Sequence, residues 1–393
     1  MTTILPTPTV SSSTATGQVR LTVRGLRKVF ADDPRPALEM LRRGATKAEV
    51  LQRLNVNVGV AEASFDIRAG EIFVIMGLSG SGKSTIVRLL NRLIEPSEGQ
   101  ILLDGRDLTA LRYGDLVEVL RRDMSMVFQS FALLPNRTAL ENAAFGLEVA
   151  GVKRADRRKA ALAALERVGL ADHADHYPDE LSGGMQQRVG LARALAKNPT
   201  IMLMDEAFSA LDPLIRSDMQ DELLRLQREE ARTIVFISHD AEEAMRIADR
   251  IAVMEDGRIA QIGTPAEILR APADEYVRAF FRGVDASRVL RARDLARPPD
   301  DGNPGEPGRF RYRTDTAGHF RGVLAGDGTS ALFGLEPVAA DTPILALLGR
   351  VAAAPCPLPV VEADGRFLGV ISRAVLLAAL DRGEDARREV RHG

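Results

Sequence analysis

The sequence predicts an α/β fold in which a buried parallel sheet carries a phosphate-binding loop. Three runs of apolar residues have the composition of strands buried on both faces, and they lie at 72–76, 201–204 and 233–237. The first run leads through the glycine-rich residues 77–85 into a helical pattern of apolar positions. Strand, glycine-rich loop and helix in this order form the context in which G-x-x-x-x-G-K-[ST] binds phosphate.

The glycine-rich loop contains the first set of candidate binding residues. They are Gly77, Leu78, Ser79, Gly80, Ser81, Gly82, Lys83, Ser84 and Thr85. Gly80 and Gly82 let backbone N–H groups turn toward an anion, and the following helix presents its positive end there. Lys83 adds a point charge for the β- and γ-phosphates, and the Ser84 hydroxyl is placed to bind Mg²⁺. The alternative is a glycine-rich turn before an ordinary helix.

Polar residues follow the other two buried runs. Asp205 and Glu206 come after 201–204, at the strand end where α/β sheets bind ligands. We expect Asp205 to hold Mg²⁺ and Glu206 to polarise the water that attacks the γ-phosphate. His239 follows 233–237 and is expected at the same edge as a γ-phosphate sensor. The alternatives are an acidic pair that caps a helix and a structural histidine.

Two further stretches have more than one interpretation. Ser182-Gly183-Gly184 precedes a helical pattern, which is typical of an anion-binding helix start and also of a plain helix cap. Phe30 ends a predicted strand, where it either stacks on an adenine ring or forms part of a half-buried core. Residues 32–59 contain two helical patterns that interrupt a β-rich opening.

The whole chain of 393 residues allows two or three domains. A formal net charge of −2 gives no reason to expect nucleic-acid binding. The single cysteine, Cys356, excludes an internal disulfide framework and fits a reducing compartment. No apolar run approaches the length of a membrane span and no signal peptide is visible, so we expect any membrane role to go through a partner.

Together these motifs resemble the nucleotide-binding subunit of an ATP-binding cassette (ABC) transporter. In chain order, residues 77–85 resemble the Walker A loop, Gln129 the Q-loop, 181–187 the signature motif, 201–206 Walker B, 209–212 the D-loop and His239 the switch histidine. The resemblance covers about residues 19–280. It implies a cassette at 18–282, with a RecA-like core, an antiparallel β subdomain and a helical subdomain at about 129–195.

The resemblance also implies how the site works. ATP and Mg²⁺ are the expected ligands, with Ser84, Gln129 and Asp205 at the metal and with Lys83, Gln129, Glu206 and His239 as the catalytic set. In this family the signature motif binds ATP held by a second copy, so Ser182, Gly183, Gly184 and Gln187, together with Asp212 of the D-loop, are expected to contact nucleotide at a dimer interface. The helical block at 129–150 is expected to receive a coupling helix of a membrane permease.

A closer resemblance concerns the cargo. The insertion at 32–59, together with residues 71–76, 91–96 and 127–133, is similar to the glycine betaine/L-proline (quaternary amine) importer ATPases. That family implies an osmoprotectant as cargo, a separate substrate-binding protein, and a peripheral position at the cytoplasmic face of the inner membrane. The alternatives are an importer ATPase for methionine, polyamine or sulfonate, and a non-transport cassette ATPase acting on ribosomes or in DNA repair.

The ends of the chain complete the prediction. Residues 1–17 are rich in Thr, Ser and Pro and are predicted to be a disordered tail, and 283–310 to be a connector that ends in a Pro/Gly-rich linker. Residues 311–385 resemble a small α+β regulatory region with one full cystathionine-β-synthase (CBS) module at about 339–381 and a degenerate first copy. The region either senses ionic strength or a nucleotide, or serves as a small dimerisation module.

Overall fold

The computed structural model describes residues 17–128, 132–209, 211–299, 310–325, 331–332 and 335–380. The predictions for the tail at 1–16, for Gln129, and for residues 300–309 and 381–385 lie outside the described residues. The chain divides into two compact units, residues 1–264 and 265–393. This division places the helices that follow Thr264 in the second unit, and the cassette boundary at 282 stays a prediction.

The first unit is built on one sheet. Its strands, within the described ranges, are β1 (Val19–Phe30), β2 (Asn57–Arg68), β3 (Ile72–Met76), β4 (Glu98–Leu103), β5 (Arg106–Asp107), β6 (Met124–Val127), β7 (Ile201–Asp205), β8 (Thr233–Ser238), β9 (Arg250–Glu255) and β10 (Arg258–Gly263). Its helices are α1 (Arg35–Arg42), α2 (Lys47–Leu54), α3 (Lys83–Leu90), α4 (Tyr113–Asp123), α5 (Ala139–Val149), α6 (Arg154–Arg167), α7 (Gly183–Ala196), α8 (Pro213–Glu230) and α9 (Ala241–Ile247).

The strand order brings the predicted site strands together. In the described part of the chain the sheet runs β5-β4-β1-β2-β10-β9-β3-β8-β7-β6. Strands β9, β3, β8, β7 and β6 pair in parallel, and β1 pairs with β2 and β4 antiparallel. Because β3, β8 and β7 are adjacent and parallel, the segments that follow them leave the sheet at one edge. The predicted α/β core and antiparallel β subdomain are thereby confirmed.

The opening of the chain differs from the prediction in one respect. The strand predicted to end at Phe30 is β1, which begins at Val19 and pairs with β2 from Val19 to Phe30. Strand β2 begins at Asn57, so the last residues of the predicted insertion belong to the sheet. Long-range pairing determines these bounds, because register shifts interrupt the local alternation along β1.

The predicted helical subdomain contains α5, α6 and α7. Thr138 begins α5 through a capping box in which its hydroxyl accepts the Glu141 N–H and the Glu141 carboxylate accepts the Thr138 N–H. Asn142 is fully buried and pairs with both the N–H and the carbonyl of Leu134, at 2.7 and 3.1 Å. These bonds hold the segment before α5 against the helix.

The second unit contains two small sheets. Its strands are β11 (Phe310–Thr314), β12 (Phe320–Ala325), β13 (Ala331–Leu332), β14 (Val338–Ala339), β15 (Leu358–Val361) and β16 (Phe367–Ile371). Its helices are α10 (Pro265–Arg270), α11 (Glu275–Phe280), α12 (Ala286–Val289), α13 (Ala292–Leu295), α14 (Leu348–Ala353) and α15 (Arg373–Leu380). The described residues form the sheets β11-β12-β13 and β14-β15-β16.

The predicted α+β character of this unit is confirmed, and its connector is more ordered than predicted. Helices α12 and α13 lie within residues 283–310, and the N–H groups of Ala292 and Arg293 donate to the carbonyls of Thr342 and Ala340 at 2.8 and 2.9 Å. Sequence alone shows these only as short polar stretches, because their pairing partners lie about 50 residues away. The CBS-like assignment stays a prediction.

No helix in the described ranges has both the length and the apolar character that crossing a membrane requires.

Candidate nucleotide site

The glycine-rich loop passes between two strands of the sheet at close quarters. Gly77 has a φ of 153°, and a Cβ atom at this position would collide with the Met254 carbonyl on β9. Gly82 has a φ of 109°, and a Cβ atom there would lie 2.5 Å from the Gly59 carbonyl on β2. Both positions therefore require glycine, for backbone conformation and for space.

The loop lines a cavity of about 560 Å³. Besides the loop, the cavity wall includes the polar groups that follow β7 and β8, residues of β2, and one residue of α2. The lining residues are Lys47, Val58, Gly59, Leu78, Ser79, Gly80, Gly82, Lys83, Ser84, Thr85, Glu206 and His239. The structure thus brings most of the predicted loop residues, together with Glu206 and His239, to one cavity at one edge of the sheet.

Lys83 begins helix α3 at the base of this cavity. Its side chain is buried, and Nζ donates to the carbonyls of Gly77 and Leu78 at 2.8 and 3.0 Å. Burial lowers the pKa of the Lys83 ammonium, and the nearby carboxylates of Glu206 and Asp205 partly oppose this shift. The loop therefore holds the Lys83 ammonium at the cavity, where a bound anion can contact it.

Ser84 and Asp205 place two oxygen atoms side by side. The Ser84 hydroxyl donates to Asp205 Oδ1 at 3.0 Å, across the end of β7. Burial raises the pKa of Asp205, and the Ser84 hydrogen bond lowers it in part. Hydroxyl and carboxylate oxygens are the ligands that Mg²⁺ takes, usually together with water and substrate phosphates, so this pair fits a magnesium ion.

Glu206 and His239 form the opposite wall. Glu206 adopts a left-handed conformation with φ of 47°, and its N–H donates to the Ile237 carbonyl of β8 at 3.2 Å. This turn carries its carboxylate to His239, whose Nδ1 lies 3.4 Å from Glu206 Oε2. The imidazole is about half exposed and the carboxylate 18% exposed. A carboxylate of limited exposure beside an imidazole suits proton transfer from a bound water.

A buried network behind His239 was not predicted from the sequence. The Ser238 hydroxyl donates to Glu243 Oε2 at 2.6 Å, and Gln220 Nε2 of α8 donates to Glu243 Oε1 at 3.0 Å. Burial raises the pKa of Glu243, and both hydrogen bonds lower it in part. The network connects the segment of His239 to α8. In the sequence, the sign of this network is the acidic residue Glu243 among the apolar positions of α9.

Leu211 and Asp212 lie close to the same segment. Arg216 lies on α8 and contacts Asp240 at 3.3 Å, and it donates to the Leu211 carbonyl at 3.2 Å. Asp212 is the N-cap of α8 and accepts the N–H groups of Leu214 and Ile215 at 3.1 Å. Asp212 therefore has a capping role within the chain, and a contact with nucleotide stays a prediction.

The signature residues begin helix α7. The Ser182 hydroxyl accepts the Met185 N–H at 3.3 Å, as expected of an N-cap. A Cβ atom on Gly184 would lie 2.6 Å from Ile215 Cγ2, so this glycine lets α7 approach α8 closely. Ser182, Gly183 and Gly184 do not line the cavity described above. Within one chain they stand apart from the loop.

Two residues predicted to contact nucleotide, Gln187 and Phe30, differ in how exposed their side chains are. Gln187 lies on the inner side of α7 and is only 1% exposed within the single chain, and its contact with nucleotide stays a prediction. Gln187 shares one face of α7 with Leu191, which follows it by four residues and is fully buried. Phe30 is 50% exposed, and its edge lies close to Gly59 at the cavity, so both interpretations of this ring stay open.

Comparisons with known proteins agree with this site. A family model described as ABC transporter matches residues 60–209. The ATP-binding protein ProV of the glycine betaine/proline betaine transport system of Escherichia coli (strain K12) is 51% identical over 392 residues, which cover 93% of this chain and 98% of ProV. The chain belongs to the ABC transporter ATP-binding proteins. The resemblance inferred from the motifs is thereby confirmed.

Other ABC proteins support the same family. The glycine betaine/carnitine transport ATP-binding protein GbuA of Listeria monocytogenes serotype 1/2a (strain 10403S) is 45% identical, covering 93% of this chain and 98% of GbuA. Among solved structures, the dimeric bacterial ABC transporter cassette MJ0796 is 31% identical with a TM-score of 0.53, covering 62% of this chain and 98% of MJ0796. Another structure of MJ0796 is a dimer in a post-hydrolysis state bound to ADP and Pi. This ABC chain is accordingly an ATPase of the transport type.

Proposed function

We propose that this chain is the ATP-hydrolysing subunit of an importer for glycine betaine, proline betaine or a related quaternary amine. The observation that carries the proposal is the 51% identity to ProV along 98% of that protein. Identity over this length includes the insertion at 32–59 and the C-terminal unit, which lie outside the family model at 60–209. A similarity restricted to the catalytic motifs would support only an ABC ATPase of unspecified cargo.

ATP is expected to bind with its phosphates on the loop. Lys83 is already held at the loop base by two carbonyls, and its ammonium can bind β- and γ-phosphate oxygens without leaving the cavity. Ser84 and Asp205 would hold Mg²⁺, which neutralises charge on the phosphates when bound. Gln129 is the proposed third metal ligand. The exposed ring of Phe30 would stack on the adenine.

Hydrolysis requires a base and a group that faces the γ-phosphate. Glu206 is the proposed base, because its carboxylate lines the cavity opposite the loop. His239 is the proposed γ-phosphate contact, and its 3.4 Å approach to Glu206 would let both groups contact one attacking water. The network of Glu243 and Gln220 keeps the His239 segment in position from behind.

A second copy of the chain is the proposed partner at the nucleotide. Within one chain Ser182, Gly183 and Gly184 are not part of the cavity lining. Ser182 and Gly183 are exposed at the start of α7 and are therefore accessible to another chain. The start of α7 offers backbone N–H groups and a hydroxyl to an anion. We infer that Ser182, Gly183 and Gly184 complete the site of the other copy, with Asp212 beside them.

A permease and a substrate-binding protein are the other proposed partners. An apolar cavity of about 340 Å³ lies between α4, α7 and the end of β6. Its lining includes Phe128, Phe145 and the exposed Leu93, which suits a short helix of a membrane subunit. The ATPase would thereby sit at the cytoplasmic face of the inner membrane.

Uptake of labelled solutes by the reconstituted complex tests this function. Glycine betaine, proline and choline are supplied with ATP, with and without added salt, and methionine serves as the matched control solute. We expect ATP-dependent uptake of the quaternary amine and background uptake of methionine. Uptake of methionine without betaine would support the rival cargo, and ATP hydrolysis without any permease would support a non-transport ATPase.

A further inference from the structure

The insertion between β1 and β2 is a packed element of the first unit. Helices α1 and α2 bury a small apolar cluster against these strands, formed by Val29, Ala37, Leu38, Leu41, Val50, Val58 and Ala61. Arg258 of β10 also donates to the Leu41 carbonyl at 3.3 Å. An element held in this way can place a side chain at a defined point.

The first turn of α2 is fixed at the turn between β9 and β10. A capping box joins Thr46 and Glu49, with Thr46 N–H to Glu49 Oε2 at 2.8 Å and Glu49 N–H to Thr46 Oγ1 at 3.2 Å. The Lys47 N–H donates to Asp256 Oδ2 at 3.2 Å. A Cβ atom on Gly257 would lie 3.0 Å from Lys47 Cδ, so the lysine stem runs closely past this glycine.

The Lys47 side chain ends at the glycine-rich loop. Its Nζ donates to the Gly80 carbonyl at 2.7 Å, and Lys47 lines the same cavity as Lys83 and Ser84. Burial lowers the pKa of the Lys47 ammonium, and Asp256 opposes this shift. An ammonium has three N–H donors, so the Gly80 carbonyl occupies one and leaves capacity for an anion.

We propose that Lys47 is a further nucleotide-binding residue, through which the insertion forms a wall of the ATP site. The bond to Gly80 fixes the peptide plane between Gly80 and Ser81 in the middle of the loop, and the ammonium adds a second positive charge for the phosphates. The proposal rests on the proposed binding of ATP at residues 77–85. The proposal gives the insertion at 32–59 a role in ATP binding, in addition to its packing against β1 and β2.

ATP affinity of the full-length protein tests the proposal. Lys47→Met removes the charge and keeps the stem, Lys47→Arg keeps a charge, and Arg53→Met on the exposed last turn of α2 is the matched control. We expect Lys47→Met to raise KM for ATP and the Kd of a fluorescent ATP analogue about tenfold, with kcat within about twofold. Lys47→Arg is expected to recover most of the affinity, and Arg53→Met to behave as the unmodified chain.

The outcomes separate binding from folding and from the wider function. An unchanged KM and Kd for Lys47→Met would overturn the proposal. An unchanged KM with a lowered unfolding midpoint in the absence of nucleotide would also overturn it, because Lys47 would then act in folding alone. If Lys83→Ala also leaves ATP binding unchanged, the proposed function fails. If Lys83→Ala abolishes binding and Lys47→Met does not alter it, only the role of Lys47 fails.

Discussion

Replacing Glu206 with glutamine is expected to reduce ATP hydrolysis by about 10²- to 10⁴-fold, the usual contribution of a positioned general base. Glutamine keeps the shape of the side chain and the left-handed turn that follows β7, but it cannot accept a proton from the attacking water. The loop, Lys83 and the Ser84–Asp205 pair remain intact. ATP binding is therefore expected to stay within about threefold, which is a small change on the free-energy scale.

Single-turnover phosphate release and retained nucleotide together measure this result. Glu242→Gln is the matched control, because Glu242 is an exposed carboxylate in the first turn of α9, close in sequence to His239. The control is expected to hydrolyse ATP at the normal rate. Rapid turnover by Glu206→Gln would contradict the assignment of the base, and loss of ATP binding by this variant would point to a role in binding instead.

Replacing Lys83 with alanine is expected to weaken ATP binding at least about 100-fold. The buried ammonium can make charge-assisted hydrogen bonds to phosphate oxygens, and losing about 3 kcal/mol of such contacts corresponds to roughly this factor. The variant also loses the two bonds that close the loop onto the Gly77 and Leu78 carbonyls. Hydrolysis at ATP concentrations near the normal KM should therefore fall to background.

Equilibrium binding of a fluorescent ATP analogue measures this loss, and the unfolding midpoint without nucleotide controls for damage to the fold. Lys159→Ala is the matched control, since Lys159 is an exposed lysine on α6. Normal ATP binding by Lys83→Ala, with an intact fold, would rule out the phosphate role. An equal loss in Lys159→Ala would show that the effect is one of overall charge.

Much of the site follows from local sequence. The apolar runs that become β3, β7 and β8 are buried along their length, and the polar residues directly after them line one cavity or its edge. Parallel pairing explains why strand ends that are distant in sequence meet. Gly77 and Gly82 are also predictable, from the spacing G-x-x-x-x-G-K-[ST]. The structure explains the requirement, because each combines a positive φ with close approach of another backbone.

Other features depend on contacts that no local pattern reveals. Glu243 and Gln220 meet behind His239 from different helices, and Lys47 reaches Gly80 from an insertion 33 residues earlier. The burial of Gln187 likewise follows from how α7 packs, which the motif alone does not indicate. The full extent of β1 is not visible in the local sequence, because its pairing with β2 spans the insertion and includes register shifts.

We propose that the start of α7 from one chain completes the nucleotide site of another. A cross-link between chains tests this geometry, because the only native cysteine is Cys356, which serine can replace. In a Glu206→Gln background, chains with Ser79→Cys are mixed with chains that carry Ser182→Cys and treated with a short bis-maleimide. Mixtures in which every chain carries Ser79→Cys are the control.

The measurement is the yield of covalent dimer with and without ATP and Mg²⁺. We expect a covalent dimer that forms with ATP, is absent without it, is absent in the control, and disappears when Lys83→Ala is added. Bound ATP without any cross-link, or a cross-link of equal yield without nucleotide, would contradict the proposed nucleotide site between two chains.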